Sequence, residues 1–282
     1  MQSVQRSLKE SEKAGFYVVI MEEVRLEHPG MGLRTMYEML QPDGIGRDAF
    51  IILGLQEGFR LKTIEKYTRT TFSVKSSRYH NLLVDRQFNS INQLWSSDIT
   101  YYYFNGCFYY IVLIMDVYSR LVVGYTIADN MRAENNVNAL KMAIEMRGIK
   151  DYHKTLIHHS DKGTQYASDH YTETLDQYGI CISMCREVYE NTHIERLNGT
   201  IKNQYLNRWN IQNFKELKQK LSETIHSYNH TRPHNSLNKL SPIQYEKKLQ
   251  SMPIETRMKM IIYTTSTNQN LQRTTQLNLF EN

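Results

Sequence analysis

The sequence predicts an α/β protein: a mixed five-stranded sheet with helices on its faces, preceded by a small helical region. Three observations lead there. Between Gln93 and Ala128, three runs of aromatic and β-branched residues follow one another with only short breaks, and such side chains fit a pleated, half-buried surface, so the stretch reads as an antiparallel meander. After it, helix-period and strand-period segments alternate, which places helices against the sheet. Ahead of it lie short apolar-periodic segments punctuated by Pro and Gly.

The elements follow in order. Phe16 to Glu27 carries Val18, Val19, Met21 and Val24 among charged residues, a short helix stopped at Pro29-Gly30. A second helix covers Leu33 to Leu40. Pro42, Asp43, Gly44 and Gly46 then form a turn, with Asp48 as the N-cap of a third helix from Ala49 to Glu57. Residues 1–62 therefore read either as a helix-turn-helix-like region or as a helical cap on the main domain, and spacing alone does not separate the two. Residues 63–90 read as a basic linker able to track a phosphate backbone, since Arg60 to Arg86 holds seven Lys/Arg against Glu65 and Asp85. The meander strands are Gln93–Phe104, Cys107–Asp116 and Leu121–Ala128; Asn105-Gly106 is a hairpin signal between the first two, and Tyr118-Ser119-Arg120 separates the next two. Ala133 to Arg147 is a helix ending at Gly148, and Thr155 opens the next strand. A helix from Asp169 to Tyr178, a strand from Ile180 to Met184, and helices Thr192–Trp209 and Phe214–His230 complete the pattern, with Arg232-Pro233 as a breaker. The main domain runs over residues 91–248, and 249–282 reads as a polar tail, with the stretch from Thr264 expected to be poorly ordered.

Bulk properties exclude several classes. The 282 residues carry 34 Lys and Arg against 29 Asp and Glu, a formal +5, which leans towards a polyanionic partner. A second basic stretch, Arg196 to Lys220, holds six basic residues against Glu216. Cys107, Cys181 and Cys185 are too few and scattered for a disulfide framework, and no C-x-x-C pair offers a zinc site. The apolar run Phe108 to Met115 is far short of a bilayer span, and the amino terminus is polar where a secretory signal would be apolar. A cytoplasmic protein is expected.

Chemistry centres on three acidic residues. Asp161 stands where the apolar strand from Thr155 breaks at Lys162-Gly163, and strand tips deliver side chains to sites; the plainer reading is a turn shaped by Asp161 and Gly163. Asp98 sits mid-strand among Ser96, Ser97 and Thr100, where a carboxylate needs a partner unless it faces water. If the first meander strand is central and the Thr155 strand lies beside it, Asp98 and Asp161 approach each other, and a divalent cation, Mg²⁺ or Mn²⁺, relieves their repulsion. Glu195 follows in a helix, where it either completes a capping box with Thr192 or turns towards the sheet with Asn198 and Lys202 on its face. Two metals about 4 Å apart would then suit phosphodiester chemistry. Asp116 is a possible decoy before a turn, and His226, His230 and His234 recur every four residues as a weaker zinc candidate interrupted by Pro233. His158 and His159 read as strand-end neighbours.

Five stretches in order resemble a known family: W-S-S-D-I-T-Y (95–101), I-M-D-V-Y-S-R-L-V-V-G-Y (114–125), H-S-D-K-G-T-Q-Y-A-S (159–168), Y-E-N-T-H-I-E-R-L-N-G-T-I-K (189–202) and Y-N-H-T-R-P-H-N-S-L (228–237). They look like the insertion-sequence transposases with a retroviral-integrase core, in particular the second-frame (OrfB) protein of the IS-three family. H-P-G-M-G-L-R-T-M-Y-E-M-L (28–40) resembles that family's small helix-turn-helix region. The resemblance implies an RNase H-like fold, with Asp98, Asp161 and Glu195 as D-D-E catalytic residues and ligands of two Mg²⁺ or Mn²⁺ ions. It implies metal-dependent cutting and joining of DNA ends without a covalent protein intermediate, with Lys202 near the substrate backbone; Lys162, Arg196 and Arg232 are further DNA-contact candidates. The implied partners are transposon-end and target DNA, further copies of the chain, and an upstream-frame (OrfA) protein or fusion, in a bacterial cytoplasm near the nucleoid. A DNA-binding derivative or repressor without catalysis is the alternative, and a purely hydrolytic nuclease a third. Two departures stand out: the loop from Ser183 to Asn191 is two residues shorter than the family's and lacks its glycine, and Glu190 replaces the usual aspartate.

Overall fold

The protein is described here from a computed structural model covering residues 2–64, 79–186 and 188–264. Residues 65–78 of the basic linker and the polar stretch past Thr264 lie outside the described residues. The chain divides into two compact units: the first takes in residues up to 64 and Gly199–Tyr245, the second those from 79 to Asn198 and from Glu246 to 264. Gly199–Tyr245, which follows the sheet in sequence, thus joins the N-terminal helices.

In the first unit, α1 (Gln2–Glu27), α2 (Leu33–Leu40) and α3 (Arg47–Gln56) enclose Tyr17, Met21, Val24, Met31, Leu33, Met36 and Phe50. The first helix starts far earlier than its apolar pattern, because its polar N-terminal half has no periodicity to reveal it. Asp48 is not the N-cap. Gly46 holds that position in extended backbone, and Asp48 lies inside the first turn, where it pairs with Arg47 at 2.8 Å.

The second unit is built on a five-stranded sheet. Its members are β2 (Leu94–Phe104), β3 (Cys107–Asp116), β4 (Val122–Ala128), β5 (Ile157–Ser160) and β6 (Cys181–Met184), in the order β4-β3-β2-β5-β6; a short β1 (Gln87–Phe88) stands outside it. β3 runs antiparallel to both β2 and β4, whereas β5 is parallel to β2 and to β6. The meander closes at Asn105-Gly106, where both residues take positive φ, 47° and 79°, the geometry of a two-residue primed turn that matches strand twist. Ile111 to Met115 of β3 are all essentially inaccessible, each contributing about 1.5–3 kcal/mol on burial. α4 (Ala133–Arg147) crosses to β5 and packs on β4, where Gly124 is required: a Cβ there would stand 2.1 Å from the Ala139 carbonyl oxygen.

α5 (Asp169–Gln177) separates β5 from β6. A 3₁₀ turn (Val188–Asn191) leads into α6 (Thr192–Thr200), so the long helix expected from Thr192 to Trp209 is broken. Beyond Thr200 the chain continues as a π-helical turn (Ile201–Tyr205) and a 3₁₀ turn (Leu206–Arg208) in the first unit. There α7 (Phe214–His230) follows, with Asn213 capping Glu216 N at 2.9 Å and Glu216 accepting from Gln212 N at 2.8 Å, a reciprocal cap. α8 (Pro242–Gln250) leads to β7 (Met260–Ile261), which pairs antiparallel with β1. The segment from 249 to 264 is therefore folded onto the second unit rather than free.

Asp116, weighed as a decoy, is structural. Fully buried, it accepts from Asn92 N (2.7 Å), Tyr118 N (3.1 Å), Ser119 N (3.2 Å) and Arg147 Nη2 (3.1 Å), while Arg147 also forks onto Glu246 at 2.7 and 2.8 Å. Arg147→Ala removes the cation between two carboxylates, and it should destabilise the second unit by about 3–5 kcal/mol in denaturant titrations.

Candidate active site

Two parallel strands bring the aspartates together. Ser97 of β2 pairs with Ser160 of β5, so the next residue on each chain, Asp98 and Asp161, emerges at the same edge of the register. Ser97 is anchored from below: its hydroxyl meets the Tyr166 phenol at 2.9 Å, and Tyr166, 1 % exposed, is held well above the ordinary phenol range by burial, by Tyr171 and by the charges of Asp161 and Asp98. Burial also pushes the Asp161 carboxyl up, opposed only by the Gly163 amide. That amide bonds Asp161 Oδ1 at 3.0 Å, and a Cβ on residue 163 would lie 2.9 Å from the same oxygen. The turn reading of Asp161 is thus realised alongside its position next to Asp98.

The third acid arrives on a helix docked to the same strand. Asn191, buried, bonds twice to β2: its Oδ1 accepts from Ser96 Oγ, and its Nδ2 donates to Ser97 O at 3.1 Å. Seven residues on, Asn198 Nδ2 donates to Asp98 Oδ2 at 2.7 Å. Positions 191, 195 and 198 share one helical face, so Glu195 lies between two anchors to the strand that carries Asp98. Because α6 takes in Thr192 within its first turn, Thr192 is not the N-cap, and the capping-box spacing to Glu195 is lost. Glu195 is exposed, yet desolvation by its neighbours raises its carboxyl above the usual range. All three acids act on one group: after burial and Glu190, the charges of Asp161, Asp98 and Glu195 push the Cys185 thiol up.

The three carboxylates are not gathered into a single shell. Among the described residues, no three His, Cys, Asp or Glu side chains converge tightly enough to enclose an ion. One acceptor in the site is nevertheless unfilled: Asn198 Oδ1 is buried beside Asp98 without a donor among the described residues. Of the cationic candidates, Lys162 is half-buried directly after Asp161, and Arg196 is exposed directly after Glu195. Lys202 is half-buried in the π-helical turn of the first unit, and the charge of Arg232 acts on Tyr205 of the same turn. His226 and His230 stack at 3.9 Å, with His230 Nδ1 bonded to the His226 carbonyl at 2.9 Å.

The two strand-end histidines lock β5. His158 Nε2 meets Tyr171 OH at 2.9 Å; His159 meets Ser183 Oγ at 2.9 Å and Cys185 Sγ at 3.2 Å. Burial lowers His158 to about 3 and His159 to about 4. Both are neutral when folded, so the unfolded chain binds more protons below the ordinary histidine value near 6.5. Their contribution is complete above that pH and is lost as pH falls towards 4 and 3. Urea titrations at pH 7 and 5 should show a loss of about 2 kcal/mol per histidine, and a His158→Gln, His159→Gln double variant should have a flatter slope. In the same assay at pH 7, Asn198→Ala should cost about 1.5–3 kcal/mol, the range for a hydrogen bond to a charged group.

Sequence reasoning put Asn198 on the face of Glu195 but did not find Asn191, Tyr166 or the serines of β2. Their signal was the run of small polar residues at Ser96 and Ser97 in an otherwise apolar strand.

Comparison with known proteins agrees with this architecture. Two family profiles, each described as an integrase core domain, match residues 89–189 and 180–242. An insertion element IS600 uncharacterized 31 kDa protein of Shigella sonnei is 32 % identical over 228 residues, covering 78 % of this chain and 83 % of that protein. The transposase for insertion sequence element IS629 of the same organism is 29 % identical, covering 78 % and 75 %. A simian T-cell lymphotropic virus intasome, solved in complex with PP2A regulatory subunit B56 gamma, shares the fold at a TM-score of 0.50 and 16 % identity, covering 74 % of this chain and 70 % of the matched chain. The chain belongs to the IS-three family of insertion-sequence transposases, enzymes of the polynucleotidyl transferase type built on an integrase catalytic core.

Proposed function

We propose that Asp98, Asp161 and Glu195 are the catalytic carboxylates with which this transposase cleaves and joins the DNA of its element, and that they hold two Mg²⁺ or Mn²⁺ ions. The observation that carries the reading is the pair of asparagine anchors, Asn191 to Ser96 and Ser97, Asn198 to Asp98, which hold the helix of Glu195 against the strand neighbouring Asp161. The donor set fits the ions: carboxylate oxygens suit hard cations. Desolvation raises Asp161 and Glu195, and a bound divalent charge would favour their ionised forms. When bound, the ions supply activation of the attacking oxygen and stabilisation of the leaving one.

The remaining work falls to the chain itself. Asp161, released from the Gly163 amide by a side-chain rotation, adds its second oxygen to the site; Asn198 Oδ1 offers an acceptor for a water or hydroxyl proton beside Asp98. Lys162, Arg196 and Lys202 supply cations to phosphates of the element ends and of the target, positioning the backbone without reading its sequence. Arg232 is a further candidate for contact with the DNA backbone. The helices of residues 1–62 and the basic linker bind element ends, and the enzyme works on DNA as a multimer with an upstream-frame partner or fusion, in the cytoplasm near the nucleoid.

The test is Mg²⁺-dependent nicking and joining of DNA that carries the element ends. Glu195→Gln preserves shape and removes charge; it should lower both activities by about 10³-fold or more, with DNA binding in gel shifts within about 2-fold of wild type. Wild-type turnover in that variant would overturn the assignment.

A further inference from the structure

The carboxylate site gives no role to Arg208, Lys215, Lys218 and Lys220, the cations that close the second basic stretch. In the first unit two of them lie over aromatic rings: Lys218 Nζ is 4.4 Å from the centre of Phe214, and Lys220 Nζ 4.9 Å from that of Trp209. Trp209 stands in extended backbone just after the 3₁₀ turn, and the buried ring of Tyr205 meets it edge-on at 6.0 Å. The half-buried indole forms one wall of a cavity of about 440 Å³, within the size range of small-ligand sites. Ser222, Glu223, His226 and Ser227 line it from one face of α7, and Glu27 from the end of α1. The His226 ring, stacked on His230 at 3.9 Å, gives it a second flat surface.

Two kinds of guest suit aromatic rings beside carboxylates: a cationic side chain and a nucleobase. The place of a cation is already filled. Lys220 covers the indole and bonds Glu223 Oε2 at 2.7 Å, while Gln219 Nε2 donates to Glu223 Oε1 at 2.8 Å. Glu27 Oε1 likewise accepts from Thr231 Oγ1 at 2.5 Å. A base matches the cavity better, with a flat face for the rings and amino hydrogens for the oxygens of Glu27 and Ser227. The lysines answer its phosphates: Lys220 borders the cavity through Trp209 and Glu223, and Lys218 lies one turn before Ser222 on the same helix face.

We propose that this cavity is a base-binding pocket of the transposase, which receives one unstacked base of a DNA strand against Trp209 while Lys218 and Lys220 hold the neighbouring phosphates. Fraying of the duplex near a break frees such a base, and the pocket keeps it from stacking back. This rests on the chain acting on DNA and not on the roles of Asp98, Asp161 and Glu195.

The experiment measures binding of the full chain, without divalent cation or turnover, to a labelled single strand of about 12 nucleotides, to the same strand paired with its complement, and to an abasic strand of equal length. Anisotropy gives the affinity, and tryptophan emission reports the pocket: of the two tryptophans, Trp95 is 0 % exposed, which leaves Trp209. The single strand should quench that emission, and the paired and abasic strands should leave it unchanged. Trp209→Ala should weaken single-strand binding about 5- to 150-fold, and Trp209→Phe, which keeps a ring, no more than about 3-fold. Neither should alter the slope of log affinity against log salt, whereas Lys218→Ala should flatten it by about 0.7. Wild-type affinity in Trp209→Ala, a salt slope that falls with it, or equal quenching by the abasic strand would overturn the proposal. Quenching by an arginine-rich peptide in place of the single strand would also overturn it, giving the pocket to a basic protein. If Trp209→Ala does not fold, the abasic comparison on the wild-type protein decides. Because no turnover is read, failure of the carboxylate assignment leaves this outcome untouched, and failure here leaves that assignment standing.

Discussion

The hydrogen bond from Asn198 to Asp98 joins the helix carrying one acid to the strand carrying another, and the rest of the site depends on it. Helix and strand come from distant parts of the sequence, and the bond spans 100 positions. An amide is suited to the task because it donates to a carboxylate without adding a formal charge. A lysine there would neutralise Asp98, and an aspartate would repel it. The amide leaves the negative charge of Asp98 in place.

Asp116, buried at the end of β3, and Asp161, exposed just past the end of β5, differ in what surrounds their carboxylates. Asp116 is enclosed by three backbone amides and Arg147; its charge is spent on closing the turn after β3. Among the described residues, the Asp161 side chain accepts one backbone amide, from Gly163. Desolvation acts against the charged form in both, so the difference lies in how completely the surroundings answer it.

The legible parts of the sequence were those fixed by local chemistry. Strands β2, β3 and β4 fall within one residue of their expected limits because Asn105-Gly106 and the turn after Asp116 set the register from nearby; α2, α4 and α7 coincide with the apolar period and its breakers. What escaped was decided at a distance. β1 and β7 have two residues each and exist only because they pair with one another. The π-helical turn at Ile201–Tyr205 leaves the helical pattern of side chains intact and so hides in a continuous periodic run. Asn191 carries no periodic signal at all, and its role appears only when β2 lies beside it.

The loop before Glu195 brings these points together. Its closure falls to Glu190. Glu190 is 3 % exposed, and its Oε2 accepts from Arg186 N at 2.5 Å, closing the loop on itself. An aspartate's oxygens would stop about 1.5 Å short of that amide, one C–C bond less. The position of Glu190 immediately before Asn191 means that closing the loop also presents the amide of Asn191 to Ser96 and Ser97. The residue that closes the loop thus stands next to the contact on which the placement of α6 rests.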